Sequence, residues 1–387
     1  MQPFVIHVTT VDMGLRFLLL NQLRALQAAG YRVEGVCTEG ALIGAIEAAG
    51  IPVTPVKMTR AITPVDDLVS LVRLVRLFRR LRPAIVHTHN PKPGLVAALA
   101  ARLAGVPVVI HTLHGFYFHE GSSPRQRLLH ISLAKITARC SHLLLSVNRE
   151  DTRTAVRENI CRPDKIEYLG GGIDLDHFDR SRLDPAEQAA LRSALGIPPA
   201  ALVIGAVGRL VAEKGYHELF AAVRNLAETH PLVHLLVVGP EEAGKNDGLT
   251  AAVAEEYGIG ERVHFTGVRY DMPAMYGLMD ILAHPSHREG LPFAPMEAAA
   301  MSVPVVASNI RGCREIIVHG ENGLLVEVKN VAALQAALAL LIAAPTLRQA
   351  FGRLGRRSAE RQFDERLVIQ RVLDTYATRL GQSIKLG

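Results

Sequence analysis

The sequence predicts an α/β protein built from two doubly wound domains, and three observations carry this. Short apolar runs rich in Val and Ile alternate with longer stretches of helical period, the pattern of parallel sheets covered on both faces. The plan runs through twice in 387 residues, a length too great for one ordinary core. Between the two passes lies LGGGIDLDHF, residues 169–178, where three glycines follow a strand and the charge balance changes sign.

In the first pass the strands are read at FVIHVTT, RVEGVCT, AIVHTH, VPVVIHTL, HLLLSVN and IEYLG. Helical stretches separate them, among them LRFLLLNQLRALQAAG, for which Gly30 is a natural C-cap. The second pass has strands at LVIGAVG, HLLVVG, RVHFTG, DILAHPS, VPVVASN and GLLVE. The glycine run makes a flexible joint at about 170–176, giving domains over 1–172 and 173–363. The stretch FDERLVIQRVLDTYATRL is expected to cross back, so that a helix over 364–387 completes the first domain. Ligands of such sheets sit at the carboxyl ends of the strands, and with two sheets the crevice between them is the expected site.

The composition, 49% hydrophobic and 21% charged, is that of a globular chain with material for two cores. Cys37, Cys140, Cys161 and Cys313 are scattered with no C-x-x-C pair, which argues against a disulfide framework or a zinc site and fits a reduced cytoplasmic interior. PFVIHVTT at the start has no basic region before it, so no signal peptide is expected. No run of about 18 apolar residues is free of charge, so no membrane span is expected. Residues 1–175 carry 21 Lys+Arg against 13 Asp+Glu, net +8, while the remainder carries 22 against 24, net −2. The basic first half suits an anionic surface, substrate or polymer, or else it is simply solvated.

The chemistry-bearing motifs lie just after strands. GRLVAEKG, residues 208–215, follows LVIGAVG and opens the helix YHELFAAVRNLAE. Arg209 and Lys214 on one strand-to-helix loop suit a diphosphate, Arg through a fork and Lys as a point charge. After DILAHPSH comes the turn Glu289-Gly290-Leu291-Pro292, and a helix starts at Phe293 with proline in its first turn. Unpaired N–H groups and the helix dipole make an anion site there. Glu289 and Glu297 are expected to accept hydrogen bonds from hydroxyls, Glu289 from a sugar ring and Glu297 from a ribose.

G-R-L-x-x-E-K-G, followed about seventy residues later by P-S-x-x-E-G-L-P with a second Glu eight beyond the first, resembles the retaining glycosyltransferases of family 4. The resemblance runs over nearly the whole chain and implies the GT-B architecture of two Rossmann-like domains facing a central crevice. It implies that Arg209 and Lys214 hold the donor diphosphate and that Glu297 binds the ribose. Glu289 with the backbone of Gly290, Leu291, Pro292 and Phe293 would bind sugar and phosphate. Val268 and Arg269, in HFTGVRYDM, match the place where family members bracket the base. His114, in the T-x-H-G position of HTLHGFYFHEG, would reach the donor sugar and help stabilise the reacting centre. The form THNPKPG with HGFYFHE is similar to members that build bacterial capsules, exopolysaccharides and lipid-linked glycans.

Two features depart from the family pattern. The first strand-to-helix loop, TTVDMGLRF, has Gly14 alone, with Asp12 before it, where members often have two adjacent glycines. That loop usually faces acceptor and donor phosphate, so Gly14 is counted with the donor-binding set. Asp174-Leu175-Asp176 spells the D-x-D of metal-dependent transferases but lies in the joint, far from the donor motifs. His87, His89, His111 and His114 are of the type that ligates metals, yet no carboxylate cluster accompanies them. No metal and no cofactor are expected.

VDDLVSLVRLVRLFRRLR, residues 65–82, reads as one helix closed by Pro83. Arg73, Arg76 and Arg80 recur on one side, with Leu68, Leu71, Val72, Val75 and Leu81 favouring the other. Leu74, Leu77 and Phe78 blur that division, so the helix suits either an anionic bilayer surface or an ordinary surface position with its apolar side packed on its own sheet; PRQRLLHISLAKITARC adds Arg125, Arg127, Lys135 and Arg139. The combined expectation is a cytoplasmic hexosyl- or N-acetylhexosaminyltransferase at the inner face of the membrane. It would carry a sugar from a nucleotide diphosphate, a UDP-sugar, to a glycan or polyprenyl-diphosphate-linked acceptor in bacterial surface polysaccharide assembly, with no nucleic-acid partner. The competing readings are a nucleotide-sugar 2-epimerase, whose acid and base carboxylates are not found, and a non-catalytic assembly subunit. A dinucleotide oxidoreductase is not expected, because neither first strand is followed by G-x-G-x-x-G.

Overall fold

In a computed structural model describing residues 2–385 except Arg60, Ile62, His119, Glu120 and Lys245, the apolar runs pair as two parallel sheets. His119 and Glu120 of the HTLHGFYFHEG motif, and the last two residues of the expected final helix, lie outside the described residues. The chain separates into two compact units, Met1–Gly170 with Arg366–Gly387, and Gly171–Glu365.

The first unit holds β1 (Phe4–Val11), β2 (Arg32–Thr38), β3 (Val53–Pro55), β4 (Ile85–His89), β5 (Val108–Leu113), β6 (Leu143–Ser146) and β7 (Ile166–Tyr168). Their order is β3-β2-β1-β4-β5-β6-β7, so the winding reverses between β1 and β4. β3 is not legible in the sequence because three residues ending in proline show no period; proline is tolerated there because the strand is an edge. One face of the sheet, with Val5, Ile85 and Ile110, is covered by helix Leu20–Ala28 and by Val368, Val372 and Tyr376 of the last helix, Glu365–Lys385. The other face, with Ile6, Val86 and Val109, packs against helices Pro64–Leu81 and Pro91–Leu103.

The helix after β1 does not run as α from its start. Gly14–Leu19 form a π turn, and the α-helix begins only at Leu20. A side chain at Gly14 would meet Thr9 at 3.1 Å, and Leu15 and Leu19 of the π turn are both buried.

Helix Pro64–Leu81 also differs from expectation. Its buried side is Ser70, Leu74, Leu77 and Phe78, which pack on the protein's own sheet and on helix Pro91–Leu103. Burying each of the three large apolar side chains is worth about 1.5–3 kcal/mol, so that side belongs to the core. Leu68 and Val72, read as lying opposite the arginines, are exposed together with Val65 and Val69. Arg73, Arg76, Arg79 and Arg80 are exposed as well. The helix therefore presents an outward face that carries these apolar side chains and the acidic Asp66 in its first turns and arginines in its last.

The second unit holds β8 (Leu202–Val207), β9 (Val233–Val238), β10 (Val263–Phe265), β11 (Ile281–His284), β12 (Val305–Ser308) and β13 (Gly323–Val326). Their order is β10-β9-β8-β11-β12-β13, and the reversal falls between β8 and β11. The glycine run that opens this unit serves close approach rather than slack. A Cβ at Gly171 would stand 2.2 Å from Leu291, and one at Gly172 would stand 2.5 Å from the Glu365 backbone. Gly170 alone of the three has a positive φ, +81°.

No single helix among the described residues is long and apolar enough to cross a membrane. Val331–Ala343 and Pro345–Gln362 pass that test only as a pair bent by 102°, and Leu334, Leu338 and Leu341 of the first lie buried in the core.

Candidate functional site

In an open doubly wound sheet the ligand position is the crevice outside the strand ends where the winding reverses. In the second unit that is the gap between the loops after β8 and β11, and GRLVAEKG and the Glu289 turn are those two loops. They are stitched together. His287 N–H donates to the Glu213 carbonyl at 2.9 Å, and Arg288 Nε donates to the Glu213 carboxylate at 2.9 Å. Gly215, at φ +77°, is a position only glycine fits, because a Cβ would come within 2.2 Å of the Pro285 carbonyl oxygen. The Tyr216 hydroxyl donates to the Gly208 carbonyl at 2.9 Å and closes the first loop.

This stitching brings Lys214 and Glu289 into contact. Lys214 Nζ donates to Glu289 Oε1 at 2.5 Å, and His284 Nε2 lies 3.1 Å from the same oxygen. Burial alone would push the Glu289 carboxyl up. The hydrogen bond with His284 and the charge of Lys214 outweigh it and hold the group well below the usual carboxylate range. No hydrogen bond among the described residues takes Oε2. Sequence reasoning placed Lys214 on a phosphate and Glu289 on a hydroxyl but did not foresee that they pair, and it missed His284. The signal available for His284 was its place at the end of a strand that leads into the site.

Helix Phe293–Ala300 starts after Pro292 with no side-chain cap, so its first-turn N–H groups face outward unpaired by a capping side chain. Glu297 is its fifth residue. Tyr276 Oη, fully buried, donates to Glu297 Oε2 at 2.7 Å. Burial lifts the Glu297 carboxyl to about 7, and the Tyr276 hydrogen bond holds it from rising further. Tyr276 was not anticipated, since a tyrosine in a short apolar helix carries no distinguishing pattern.

The remaining expected residues sit around these. Arg209 is half-exposed on the β8 loop, with Nη1 3.4 Å from Glu242, which follows β9. Val268 is exposed after β10, and Arg269 makes a double contact with Asp271 at 2.8 and 2.5 Å. Gly290, Leu291, Pro292 and Phe293 form the turn and the helix start.

In the first unit Gly14 and Asp12 lie after β1, at that sheet's reversal. Asp12 is buried and accepts from the N–H groups of Met13 and Leu42, both at 2.8 Å, so it pins two loops. Lys92 of HTHNPKPG is buried and donates to both oxygens of Asp67, at 2.6 and 2.7 Å, tying the first turn of helix Pro91–Leu103 to helix Pro64–Leu81. The four histidines divide. His111 faces the other side of the sheet, hydrogen-bonded to Thr88 at 2.9 Å, with its ring where a Cβ on Gly94 would stand. His87 and His89 share the opposite face with His7, a neighbour sequence reasoning missed.

These rings join a continuous line of contacts. His114 Nε2 lies 3.3 Å from His89 Nδ1, and His89 Nε2 lies 3.0 Å from His7 Nδ1. Tyr376 Oη lies 3.0 Å from His7 Nε2 and 2.6 Å from His87 Nδ1, and His87 Nε2 lies 2.7 Å from Thr112 Oγ1. Burial lowers all four histidines: His7 to about 3, His114 to about 4, His87 and His89 well below the usual value. His7, His87 and His89 are the group among the described residues whose ligand atoms come within 4.8 Å of one another, as a metal would need. Each of their nitrogens already has a hydrogen-bonding neighbour. The D-x-D is a local turn, with Asp174 Oδ1 accepting from the N–H groups of Asp176 and His177 at 2.9 and 3.0 Å.

The family model of glycosyl transferases group 1 matches residues 187–358, and that of the glycosyl transferase 4-like domain matches residues 14–172. The chain is 27% identical to the capsular polysaccharide biosynthesis glycosyltransferase CapM of Staphylococcus aureus, over 98% of each chain. It is 28% identical to the UDP-Gal:alpha-D-GlcNAc-diphosphoundecaprenol alpha-1,3-galactosyltransferase of Escherichia coli, over 84% of each, and 31% identical to EpsD of Bacillus subtilis (strain 168), over 78% of each. Its fold is similar to that of Anabaena HepE in complex with UDP and glucose, with a TM-score of 0.82 at 21% identity, covering 97% of this chain and all of that one.

Proposed function

The chain belongs to the group 1 glycosyltransferases with a 4-like first domain, on the GT-B architecture, and from that premise we propose that it transfers a hexosyl or N-acetylhexosaminyl group, with retention, from a UDP-sugar to a glycan on a polyprenyl diphosphate. The observation that carries this reading is the joining of Lys214, Glu289 and an uncapped helix start at the winding reversal of the second unit.

Lys214 has three N–H donors, so it keeps Glu289 and still reaches a phosphate oxygen. Arg209 takes the diphosphate as a fork, and the N–H groups at the start of helix Phe293–Ala300 take it end-on. Glu289 Oε2 and Glu297 Oε1 carry no hydrogen bond among the described residues; they accept from the sugar and ribose hydroxyls respectively. The anomeric carbon–oxygen bond to the diphosphate breaks and the electron pair leaves with the phosphate oxygen. Lys214, Arg209 and the helix start stabilise that growing charge. The acceptor hydroxyl bonds to the anomeric carbon from the face the diphosphate leaves, and a phosphate oxygen takes its proton. His114 serves the sugar, and Gly14 with its loop serves the phosphate. Val268 and Arg269 bracket the base. The reaction draws on no metal or cofactor, its cations being side chains.

The acceptor assignment is supported by the Staphylococcus and Escherichia relatives, whose names place them in capsule assembly and on a diphosphoundecaprenol acceptor. The outward face of helix Pro64–Leu81, with Arg73, Arg76 and Arg80 beyond Val65, Leu68, Val69 and Val72, meets the cytoplasmic surface of the membrane where that acceptor resides. The test is incubation with a panel of nucleotide sugars and a membrane lipid extract, with products identified by mass and anomeric configuration by NMR. The expected product is a lipid-diphosphate glycan one sugar heavier, with the donor's configuration kept and UDP released. A product of inverted configuration, or nucleotide release with no transfer, refutes the reading.

A further inference from the structure

Four imidazoles, one phenol and one threonine hydroxyl form a single row through the first unit's sheet and onto its last helix. His7, His87 and Tyr376 have no measurable exposure, and His89 and Thr112 have 1%. Water therefore does not satisfy their nitrogens, and each must find its partner within the row. Burial keeps the rings neutral, and a neutral imidazole has one N–H and one bare nitrogen. The Tyr376 hydroxyl has one proton and touches two imidazoles, so it donates to one and accepts from the other. These constraints leave two arrangements. In one, His114 Nε2–H donates to His89, His89 to His7, His7 to Tyr376, Tyr376 to His87, and His87 to Thr112. In the other every bond is reversed, and the proton of His114 sits on Nδ1.

We propose that Tyr376 is a positioning residue: through His7 and His89 its hydroxyl sets the tautomer of His114, and so whether His114 Nδ1 offers the sugar a hydrogen-bond donor or an acceptor. The row ends on the residue assigned to the sugar, and the proposal rests on that assignment for its catalytic consequence. A core built only for stability would replace these groups by apolar ones, which need no partners. The row also gives the returning helix a part in the site, since Tyr376 stands 262 positions after His114 and is held on the sheet by Val368 and Val372.

The test uses the full chain labelled with 15N-histidine and Tyr376→Phe, which keeps the ring and removes the hydroxyl. With His7 Nε2 left without a partner, the bare nitrogen is favoured over an orphaned N–H, so the protons of His7, His89 and His114 move toward Nδ1. In this proposal the wild type holds the first arrangement, every ring protonated on Nε2; His89 and His114, which do not touch Tyr376, are therefore expected to shift to Nδ1 in the variant, while His111, outside the row, keeps its own tautomer. Turnover, followed as nucleotide diphosphate release, is expected to fall about 2- to 12-fold, the worth of one neutral hydrogen bond, with KM for the nucleotide sugar within about twofold. Unchanged His89 and His114 spectra overturn the proposal, as does a stoichiometric metal found bound to His7, His87 and His89 in the purified protein. If Tyr376→Phe does not fold, Thr112→Val opens the row at its other end and is expected to give the same spectral pattern; unchanged His89 and His114 there also overturn it. His114→Ala with full turnover would remove His114 from the sugar site, a failure of the assigned function, while the spectra still decide the link between Tyr376 and His114.

Discussion

Replacing Lys214 by alanine removes two things at once, and the structure allows their sizes to be separated. The first is the contact proposed with the leaving diphosphate. A charge-assisted hydrogen bond is worth about 1.5–3 kcal/mol, so turnover should fall about 10- to 150-fold. The second is the partner of Glu289. That pair is 2.5 Å long, with side chains 22% and 14% exposed, between the exposed pairs worth about 0–1 kcal/mol and the buried ones whose breaking costs about 3–5 kcal/mol. A stability loss of about 2–3 kcal/mol is expected from urea unfolding. Arg209→Ala is the comparison: its pair with Glu242 is 3.4 Å long and its side chain 43% exposed, so turnover should fall by a similar factor with less than about 1 kcal/mol of stability lost. The pH dependence has a definite sign. The Glu289 carboxyl lies below its ordinary value of 4.5 in the folded protein, so its contribution is present above pH 4.5 and is lost as pH falls below it. Lys214→Ala should lose part of that acid sensitivity. Full turnover in either variant refutes the diphosphate assignment, and equal stability losses in the two refute the ranking by burial.

Three further outcomes follow from the same geometry. Glu297, lifted to about 7, should bind the ribose as a carboxylate, so KM for the nucleotide sugar should rise about 10-fold as the pH drops from about 8 to about 6; Tyr276→Phe removes the bond that lowers this group and should move the midpoint to higher pH, whereas a flat KM would sink the assignment. The folding contribution of Glu297 has the opposite sense to that of Glu289, being present below pH 4.5 and lost as pH rises through about 7. Turnover should survive EDTA; loss with EDTA and recovery with magnesium or manganese would bring Asp174 and Asp176, or the histidines, back into consideration. Replacing Arg73, Arg76 and Arg80 together by Gln should cost about 3 kcal/mol of affinity for anionic vesicles, at about 1 kcal/mol per arginine, and leave turnover of a short soluble acceptor intact; vesicle binding equal to wild type would remove this helix from the membrane surface.

The sequence by itself determined the twofold α/β plan, twelve of the strands and the two loops that face the switch point of the second unit. It could do so because buried parallel strands are continuous apolar runs, and because a strand-to-helix loop that binds phosphate needs its glycines and cations within a few residues of one another. The short edge strand at Val53 is illegible for lack of a period. The glycine run reads as slack because the reasons for it, Leu291 and Glu365, come more than a hundred residues later. Which face of helix Pro64–Leu81 is buried is blurred as well, since Leu74, Leu77 and Phe78 resemble Leu68 and Val72 until a sheet lies against them. Only the tertiary structure decided the partners: Lys214 with Glu289, Tyr276 with Glu297, and His7 and Tyr376 with the motif histidines. A side chain's charge state and tautomer depend on what burial strips from it and what neighbour replaces the lost water, and in this protein those neighbours are brought from as far as 369 positions away, between His7 and Tyr376.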